Sequence, residues 1–250
     1  MDKIERIRAM KPAGRKIAAL TAYDYPTARL LDECGVDFIL VGDSLGMVVL
    51  GFPDTTSVTM EHMVHHCAAV ARGVKEALVV ADLPIGTCET PEAALANSRR
   101  LVEAGADAVK IEGARVAQIS VVVEAGIPVV AHLGMLPQSI REEGGYHVKG
   151  KTPMEAAALL EQSLAVEAAG AFAVVLELAK PDVAAQISDT VRIPTIGIGS
   201  GPSCDGQILV IHDLIGMFPW FRPRFAKPEA DVATEIRAAI GAYRKRIQEE

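Results

Sequence analysis

The stretch Phe38-Ile39-Leu40-Val41-Gly42-Asp43-Ser44 is a short apolar run that ends in an acidic residue. The same pattern, an apolar run that ends in a charged residue or a histidine, returns at Leu78–Asp82, Ala108–Glu112, 128–132 and 172–177. An apolar run bounded by turn residues is typical of a parallel strand that is buried on both faces. A charge at the end of such a strand is unfavourable to bury without a partner. We therefore expect these charges to converge on one edge of a parallel sheet.

Strand and helix signals alternate along the whole chain and indicate about eight β/α units, as in a (β/α)₈ or TIM barrel of the α/β class. The length of 250 residues suits one such barrel. We predict a single domain over residues 1–250, with a short N-terminal helix and a closing helix over 227–250. A doubly wound open sheet is the alternative, but no Gly-x-Gly-x-x-Gly follows the first strand. The predicted strands are Ile17–Thr21, 37–43, 77–82, Ala108–Glu112, 127–132, 171–177, 193–198 and 208–211.

Composition and charge argue against several classes of protein. The net charge of −7 is unlike that of nucleic-acid-binding proteins, which display basic surfaces. No apolar stretch approaches the roughly 18 residues of a membrane span, and the charged N-terminal residues do not resemble a signal peptide. Four cysteines lie far apart without a Cys-x-x-Cys pair, which favours a reducing compartment. We therefore expect a cytoplasmic protein that binds neither nucleic acid nor membrane.

Asp43, Asp82 and Glu112 end neighbouring predicted strands, so their carboxylates meet at the mouth of the predicted barrel. Like charges at one site repel unless a cation joins them, and hard oxygen ligands suit Mg²⁺. The sequence therefore predicts a Mg²⁺ site built from these three residues. The alternative for each carboxylate is a structural role, as a cap of the following helix or in an ion pair.

Lys110 lies two residues before Glu112, so both side chains point to the same side of their strand. A lysine beside a carboxylate site can bind the carboxylate or oxyanion of a substrate. A buried ion pair with Glu112 is compatible with that role. A Schiff base between Lys110 and a carbonyl substrate is a competing interpretation.

Three further polar residues are candidates for chemistry at the same edge. Glu177 ends the sixth predicted strand, across the mouth from the metal candidates, which suits a general base. Its alternative is an ion pair with Lys180. His132 and Ser44 are candidates for hydrogen bonds to substrate oxygens, with a structural role or a helix cap as the alternatives.

His62, His65 and His66 resemble a metal-binding cluster at first sight. They lie at helical spacing without a fourth ligand, so we interpret them as a helix surface or a subunit contact. Trp220 and its apolar neighbours are expected to pack against a barrel end or a subunit interface.

A set of motifs follows in order along the chain: Gly42-Asp43-Ser44-Leu45-Gly46-Met47-Val48-Val49-Leu50-Gly51, Ala81-Asp82-Leu83-Pro84, Val109-Lys110-Ile111-Glu112-Gly113, Leu136-Pro137-Gln138-Ser139, Gly144-Gly145-Tyr146, Leu176-Glu177, Gly197-Ile198-Gly199 and Cys204-Asp205-Gly206-Gln207. Together these motifs resemble the ketopantoate hydroxymethyltransferase family. The resemblance covers nearly the whole chain, and its first motif is long and specific. Ile85 and Cys88 depart from it where a larger aromatic residue is expected, as does Ser200 where alanine is expected.

This resemblance implies a TIM barrel that forms a high-order homo-oligomer, commonly a decamer, and acts in pantothenate and coenzyme A biosynthesis. It also implies a role for each matching position. Asp43, Asp82 and Glu112 match the Mg²⁺ ligands, and Glu177 matches the proton acceptor. The substrate contacts are Asp43, Ser44, Asp82 and Lys110, with His132 as an active-site histidine.

The implied reaction transfers a hydroxymethyl group from 5,10-methylenetetrahydrofolate to 3-methyl-2-oxobutanoate and gives 2-dehydropantoate. Mg²⁺ would stabilise the enolate that forms when Glu177 removes a proton, and the glycine-rich segment 133–151 is expected to close over the mouth. Three rival functions stay open at this point. They are a Mg²⁺-dependent lyase or mutase of the phosphoenolpyruvate mutase type, an aldolase that forms an imine on Lys110, and a non-catalytic assembly protein.

Overall fold

The computed structural model describes residues 2–249 and, within that range, contains eight strands that close into a barrel in chain order. Each strand pairs in parallel with the next. This closed order confirms the predicted TIM barrel and excludes the open doubly wound sheet. The strands are β1 Ile17–Thr21, β2 Phe38–Val41, β3 Leu78–Asp82, β4 Ala108–Glu112, β5 Val129–Gly134, β6 Ala173–Glu177, β7 Thr195–Ile198 and β8 Gly206–Leu209.

Helices connect successive strands, as the alternating pattern predicts. Several of them begin at a polar cap, such as Thr90, whose side chain accepts the Ala93 N–H, or Thr152, which accepts the Glu155 N–H. The helices are α1 Lys3–Met10, α2 Tyr25–Glu33, α3 Leu45–Val48, α4 Met60–Ala71, α5 Pro91–Glu103, α6 Val116–Glu124, α7 Ile140–Glu143, α8 Pro153–Ala168, α9 Pro181–Thr190, α10 Ile211–Leu214 and α11 Val232–Glu249.

The barrel interior changes from apolar to polar along its axis. Side chains alternate along a strand, so every second residue points into the barrel. The buried apolar cluster contains Ile4, Ile7 and Met10 of α1 together with inward residues near the start of the strands, such as Phe38 and Val80. On the same face, the strands then end in polar residues. These inward series are Leu78-Val80-Asp82, Ala108-Lys110-Glu112, Val130-His132 and Ala173-Val175-Glu177.

Several predicted strand boundaries, among them those of β2, β5, β6, β7 and β8, differ from the structure by one or two residues, and two predicted irregular segments contain helical turns. Strand β8 begins earlier than expected, because Gly206 and Gln207 pair with β7 and helix α10 starts at Ile211. The segment predicted as a loop after β2 contains α3 and a 3₁₀ turn at Thr55–Ser57. The irregular segment 133–151 contains a second 3₁₀ turn at Pro137–Ser139 and helix α7.

The contacts divide the chain into two compact units, one ending at Ile208 and one beginning at Leu209. In the second unit, α11 begins at Val232 rather than at 227, because Asp231 caps it by accepting the Thr234 N–H at 3.2 Å. Trp220 is 77% exposed, and its ring contacts Phe218. The single-domain span 1–250 stays a prediction. Among residues 2–249, no helix is both long and apolar enough to cross a bilayer.

Candidate active site

The structure brings the predicted site residues together at the carboxyl end of the barrel. This is the end at which TIM-barrel enzymes carry their active sites. All of them except Glu177 and Ser44 are almost completely buried, and the Glu177 side chain is only 12% exposed. They come from neighbouring strands: Asp43 and Ser44 after β2, Asp82 on β3, Lys110 and Glu112 on β4, His132 on β5 and Glu177 on β6.

An unbroken series of short contacts joins these side chains. The Asp43 N–H donates to Asp82 Oδ2 at 3.0 Å, and Asp82 Oδ1 lies 2.9 Å from Lys110 Nζ. Lys110 Nζ in turn lies 3.3 Å from His132 Nδ1. The other ring nitrogen, His132 Nε2, lies 3.3 Å from Glu177 Oε2. The cluster therefore runs without a gap from the metal candidates to the candidate base.

Glu112 and a residue that the strand-end pattern does not find, Gln138, complete the cluster. Glu112 Oε2 lies 3.5 Å from His132 Nδ1, and Glu112 Oε1 accepts the Gln138 N–H at 2.9 Å. The Gln138 side chain also donates to Asp43 Oδ2 at 2.9 Å. Gln138 lies in the irregular segment after β5, where strand periodicity gives no indication of what a side chain contacts.

The charges in this cluster shift one another strongly. Burial, together with the negative charges of Asp82 and Glu112, raises the pKa of Asp43 to about 7, although Lys110 opposes the shift. Burial alone would lower the pKa of Lys110. The carboxylates of Asp82, Asp43 and Glu112 outweigh it, so the pKa of Lys110 lies above its ordinary value. Lys110 is therefore a cation that the surrounding carboxylates stabilise.

His132 lies between two carboxylates and a lysine. Burial and Lys110 both disfavour the charged imidazolium, but hydrogen bonding to Glu112 and Glu177 outweighs them and raises the pKa of His132 to about 9. Protonated on both nitrogens, the ring would face Glu112 with Nδ1 and Glu177 with Nε2, while Nδ1 also lies 3.3 Å from Lys110 Nζ. In that state His132 orients the Glu177 carboxylate.

Ser44 is held by an aromatic residue that the sequence reasoning missed. Its Oγ lies 2.8 Å from the hydroxyl of Tyr23, and its side chain makes no cap hydrogen bond to α3. The helix-cap interpretation of Ser44 is therefore wrong. Tyr23 is buried and follows the apolar strand β1. It fits the same rule of a polar residue after a strand, so the sequence contained the signal.

The backbone at Glu177 is held in a strained turn. Leu178 adopts φ +47, and within residues 2–249 no other non-glycine residue has a positive φ. The buried Ser200 hydroxyl donates to the Leu176 carbonyl at 2.7 Å and accepts the Ala179 N–H at 2.9 Å. On the other side, the Met135 N–H donates to the Glu177 carbonyl at 2.8 Å. Hydrogen bonds from both neighbouring strands therefore fix the position of Glu177.

Several structural alternatives are settled by these contacts. Lys180 pairs with Asp182 at 2.7 Å, so the alternative ion pair with Glu177 is not formed. Lys110 pairs with Asp82 rather than with Glu112. Asp82 therefore forms the kind of ion pair that was the structural alternative to metal binding, and the same carboxylate is available to a ligand that enters the site.

The three histidines of α4 take separate local roles. His62 completes a capping box with Thr59, because each accepts the backbone N–H of the other. His66 Nδ1 lies 2.6 Å from the carbonyl of Tyr23, and its ring contacts that of His65 edge to face. These contacts fit the helix-surface interpretation, whereas the subunit contact stays a prediction.

The segment 133–151 lies against the site. Its Lys149 N–H donates to the Leu178 carbonyl at 2.8 Å, and Arg141 binds Asp54 at 2.9 Å. Burial, followed by the negative charges of Glu177 and Asp43, raises the pKa of Tyr146 well above its ordinary value. These contacts place the glycine-rich segment at the mouth of the barrel, while its closure over a substrate stays a prediction.

The carboxylates suit a divalent ion in their chemistry. Among residues 2–249, no three Asp, Glu, His or Cys side chains lie close enough to hold a metal as they stand. However, Asp82 Oδ1 and Glu112 Oε2 are buried, with Lys110 Nζ 2.9 Å from the first and His132 Nδ1 3.5 Å from the second. The longer of these two contacts leaves Glu112 Oε2 without a well-formed hydrogen bond among the described residues. Buried carboxylate oxygens of this kind, next to an Asp43 whose pKa is raised by burial and by the negative charges of Asp82 and Glu112, are hard donors that Mg²⁺ would stabilise. The donor set therefore fits the predicted ion.

Comparison with known proteins identifies the family. A family model described as ketopantoate hydroxymethyltransferase matches residues 2–250. The chain belongs to this family. It is 54% identical over 237 residues to the 3-methyl-2-oxobutanoate hydroxymethyltransferase of Acetivibrio thermocellus, which covers 93% of this chain and 84% of the relative. It is 49% identical over 247 residues to the enzyme of the same name from Thermoanaerobacter sp. (strain X514), which covers 97% and 90%.

Family membership decides between the rival functions. The chain is an enzyme with the family's hydroxymethyltransferase activity, in pantothenate biosynthesis, so the non-catalytic assembly protein is wrong. A solved structure of phosphoenolpyruvate phosphomutase from Streptomyces platensis subsp. rosaceus superposes with a TM-score of 0.66 at 17% identity, covering 98% of this chain and 88% of that one. Structural similarity at such a low sequence identity shows that the two proteins share a fold and does not show a shared activity. The family match therefore outweighs the mutase or lyase alternative.

Proposed function

We propose that the enzyme transfers the one-carbon unit of 5,10-methylenetetrahydrofolate to 3-methyl-2-oxobutanoate, with Mg²⁺ held by Asp43, Asp82 and Glu112. The observation that carries the proposal is the continuous cluster of contacts from Asp43 to Glu177, which joins the metal-binding side to a base. When bound, the ion would supply positive charge to the keto oxygen of the substrate.

The residues of the chain would act on the substrate as follows. Lys110, kept protonated by its carboxylate neighbours, binds the negative charge of the substrate carboxylate. Glu177 accepts the proton of substrate C3, and the resulting enolate carbon forms a bond to the methylene carbon of the folate. Both C–N bonds of that carbon break, and water supplies the oxygen of the new hydroxymethyl group. The two hydrogens of water and the proton that Glu177 took from C3 go to the two nitrogens of the released tetrahydrofolate and to the new hydroxyl group. The products are 2-dehydropantoate and the free carrier.

His132 and Ser44 would position these groups. With a proton on Nε2, His132 donates toward Glu177 and holds the carboxylate oxygen nearest the ring. That leaves the second Glu177 oxygen to accept the substrate proton. The Tyr23 hydroxyl orients Ser44 Oγ in the same way, so that Ser44 can bind a substrate oxygen.

The aldolase alternative requires an unprotonated lysine. An imine forms when a neutral amine attacks a carbonyl carbon. Because Asp82, Asp43 and Glu112 stabilise the charged form of Lys110, the amine is a poor nucleophile in this cluster. The geometry therefore favours charge neutralisation by Lys110 over covalent catalysis.

A deuterium-exchange experiment tests the assignment of the base. Wild-type enzyme with Mg²⁺ and 3-methyl-2-oxobutanoate in D₂O should exchange the C3 hydrogen without folate, because proton removal precedes the transfer. Glu177→Gln should lose exchange by at least about 100-fold, the contribution typical of a general base. Glu161→Gln, on the exposed face of α8, is the matched control and should exchange normally.

Three outcomes would contradict parts of the proposal. Undiminished exchange by Glu177→Gln would exclude Glu177 as the base. Exchange that survives removal of divalent ions by EDTA would exclude Mg²⁺. Turnover of the keto acid without methylene-folate would exclude the one-carbon donor and return the lyase or mutase alternative.

We also infer that the enzyme is a cytoplasmic homo-oligomer, with a decamer as the expected size. Helix α11 carries Ile236, Ile240, Tyr243 and Ile247, spaced by three or four residues and each at least 40% exposed. Such an apolar stripe on one helix is typical of a surface that packs against another chain. Light scattering of the purified enzyme would give the number of subunits.

A further inference from the structure

Each of the three clustered carboxylates has one oxygen held by an N–H group. Asp82 Oδ2 accepts the Asp43 N–H at 3.0 Å. Asp43 Oδ2 accepts a side-chain hydrogen of Gln138 at 2.9 Å, and Glu112 Oε1 accepts the Gln138 backbone N–H at 2.9 Å. Two of these three hydrogen bonds therefore come from the same residue, Gln138.

The amide orientation of Gln138 is fixed by its partners. Its nitrogen donates both to Asp43 Oδ2 and, at 3.0 Å, to the Leu83 carbonyl. Both partners are acceptors, so the amide must present its NH₂ group rather than its oxygen. The residue is 8% exposed, which leaves no room for the side chain to turn away. Gln138 is thus a buried donor that is fully used.

The oxygens that these bonds leave free face the interior of the cluster. Asp82 Oδ1 lies beside Lys110 Nζ, and Glu112 Oε2 lies 3.5 Å from the ring of His132. Within the range 2–249, Glu112 Oε2 has no well-formed hydrogen bond, whereas Asp82 Oδ1 is held by the ion pair with Lys110. A carboxylate with one oxygen tied down and the other free has a fixed orientation, which is the condition under which it can bind an ion with little reorganisation.

We propose that Gln138 is a positioning residue that orients Asp43 and Glu112 for a divalent ion. This inference rests on the Mg²⁺ site of the proposed function. Partners that orient metal-binding side chains typically change metal affinity by about 10–100-fold when they are removed. Gln138 binds Asp43, just after β2, through its side chain and Glu112, on β4, through its backbone N–H. A side-chain substitution therefore removes the bond to Asp43 directly and leaves the backbone donor to Glu112 in place.

The position of Gln138 depends on two neighbouring segments. It lies in the 3₁₀ turn Pro137–Ser139, and the Pro137 carbonyl accepts the Thr55 hydroxyl at 3.3 Å. Arg141, one turn further on, binds Asp54 in the same loop after β2. The loop that follows Asp43 therefore also supports the residue that orients Asp43.

The experiment measures binding of Mn²⁺, as a spectroscopic substitute for Mg²⁺, to the full-length enzyme. The electron paramagnetic resonance signal of free Mn²⁺ gives the dissociation constant without substrates. Gln138→Met removes the side-chain donors at nearly constant length, and Gln138→Asn keeps the amide but cannot reach Asp43. Gln162→Met, exposed on α8, is the matched control. Melting temperatures of all variants without metal accompany the titrations.

We expect wild type and Gln162→Met to bind Mn²⁺ alike, and both Gln138 variants to bind at least about 10-fold more weakly. If Gln138→Met does not fold, Gln138→Asn decides, because it retains the polar group at the buried position. Lower melting temperatures with unchanged Mn²⁺ affinity would show a purely structural role and overturn the inference, while the metal site itself would stand. Wild type that binds Mn²⁺ no better than Asp82→Asn would overturn both the inference and the proposed metal site.

Discussion

Gly134, the last residue of β5, allows the backbone of Glu177 to approach closely, and Gly134→Ala should therefore damage catalysis. The two residues are paired in the parallel ladder. A Cβ atom at Gly134 would lie 2.2 Å from the Glu177 carbonyl oxygen and 3.1 Å from the Glu177 N and C atoms. Gly134 also has φ +95, which L-residues rarely adopt. An alanine side chain therefore meets the backbone of the candidate base directly.

The size of the effect follows from these two terms. Backbone strain at positive φ costs about 1–2 kcal/mol, and the clash requires the strands to separate by about 0.8 Å to reach a 3.0 Å contact. A displacement of about 1 Å at a catalytic group can reduce the rate about 100-fold. We expect kcat to fall by about that factor, with KM changed much less, because Glu177 acts on the bound substrate.

Gly126→Ala provides the matched control. Gly126 follows α6 with φ +82 and is exposed, and a Cβ atom added there would meet no other atom within 4 Å. The variant should carry the same backbone strain, seen as a melting temperature lower by about 2–8 °C, without loss of kcat. Steady-state kinetics and thermal melting of both variants test the argument. If Gly134→Ala retained kcat within twofold of Gly126→Ala, the contact between Gly134 and Glu177 would not position the base.

Two further predictions concern stability. Arg141 and Thr56 hold the pKa of Asp54 at about 2 by hydrogen bonding, so the folded-state pKa lies below the ordinary value of 3.8. The carboxylate therefore stabilises the fold above pH 4 and loses this contribution as the pH falls toward 2. Asp54→Asn should lower the urea midpoint of unfolding at pH 6. A difference in midpoint from wild type that was as large near pH 2 as at pH 6 would contradict this dependence on the charge of Asp54. Ser200→Ala should leave the buried Ala179 N–H without its acceptor, costing about 1–3 kcal/mol and several degrees in melting temperature. Exposed Ser203→Ala is the control, and equal melting temperatures for the two serine variants would refute the role of Ser200.

The alternating pattern predicted the barrel because it reflects one physical requirement. A parallel strand covered by helices must be apolar on both faces, so its composition shows in the sequence without knowledge of its neighbours. The charges at the strand ends stand out against that background for the same reason. Asp82, Glu112, His132 and Glu177 could therefore be placed at one edge from their positions in the chain alone.

Boundaries and partners were less predictable. Local backbone hydrogen bonds hold the 3₁₀ turns and α3, and no periodic pattern of apolar residues predicts such bonds. Ser200 departs from the family pattern, yet its hydroxyl ties the ends of β6 and β7 together at the strained turn after Glu177. The contribution of that hydroxyl to stability depends on the Ala179 N–H and the Leu176 carbonyl, which are more than 20 residues away in the sequence.

The class of fold, the edge at which the polar strand ends meet and, through its motifs, the family can be read from the amino-acid sequence alone. Which charges pair depends on contacts between strands that are distant along the chain. Lys110 contacts Asp82 on the neighbouring strand rather than Glu112 on its own, and Gln138 comes from an irregular loop to bind two carboxylates. Burial patterns are a property of single strands, whereas hydrogen bonds and ion pairs require distances across the barrel that only its register and closure fix.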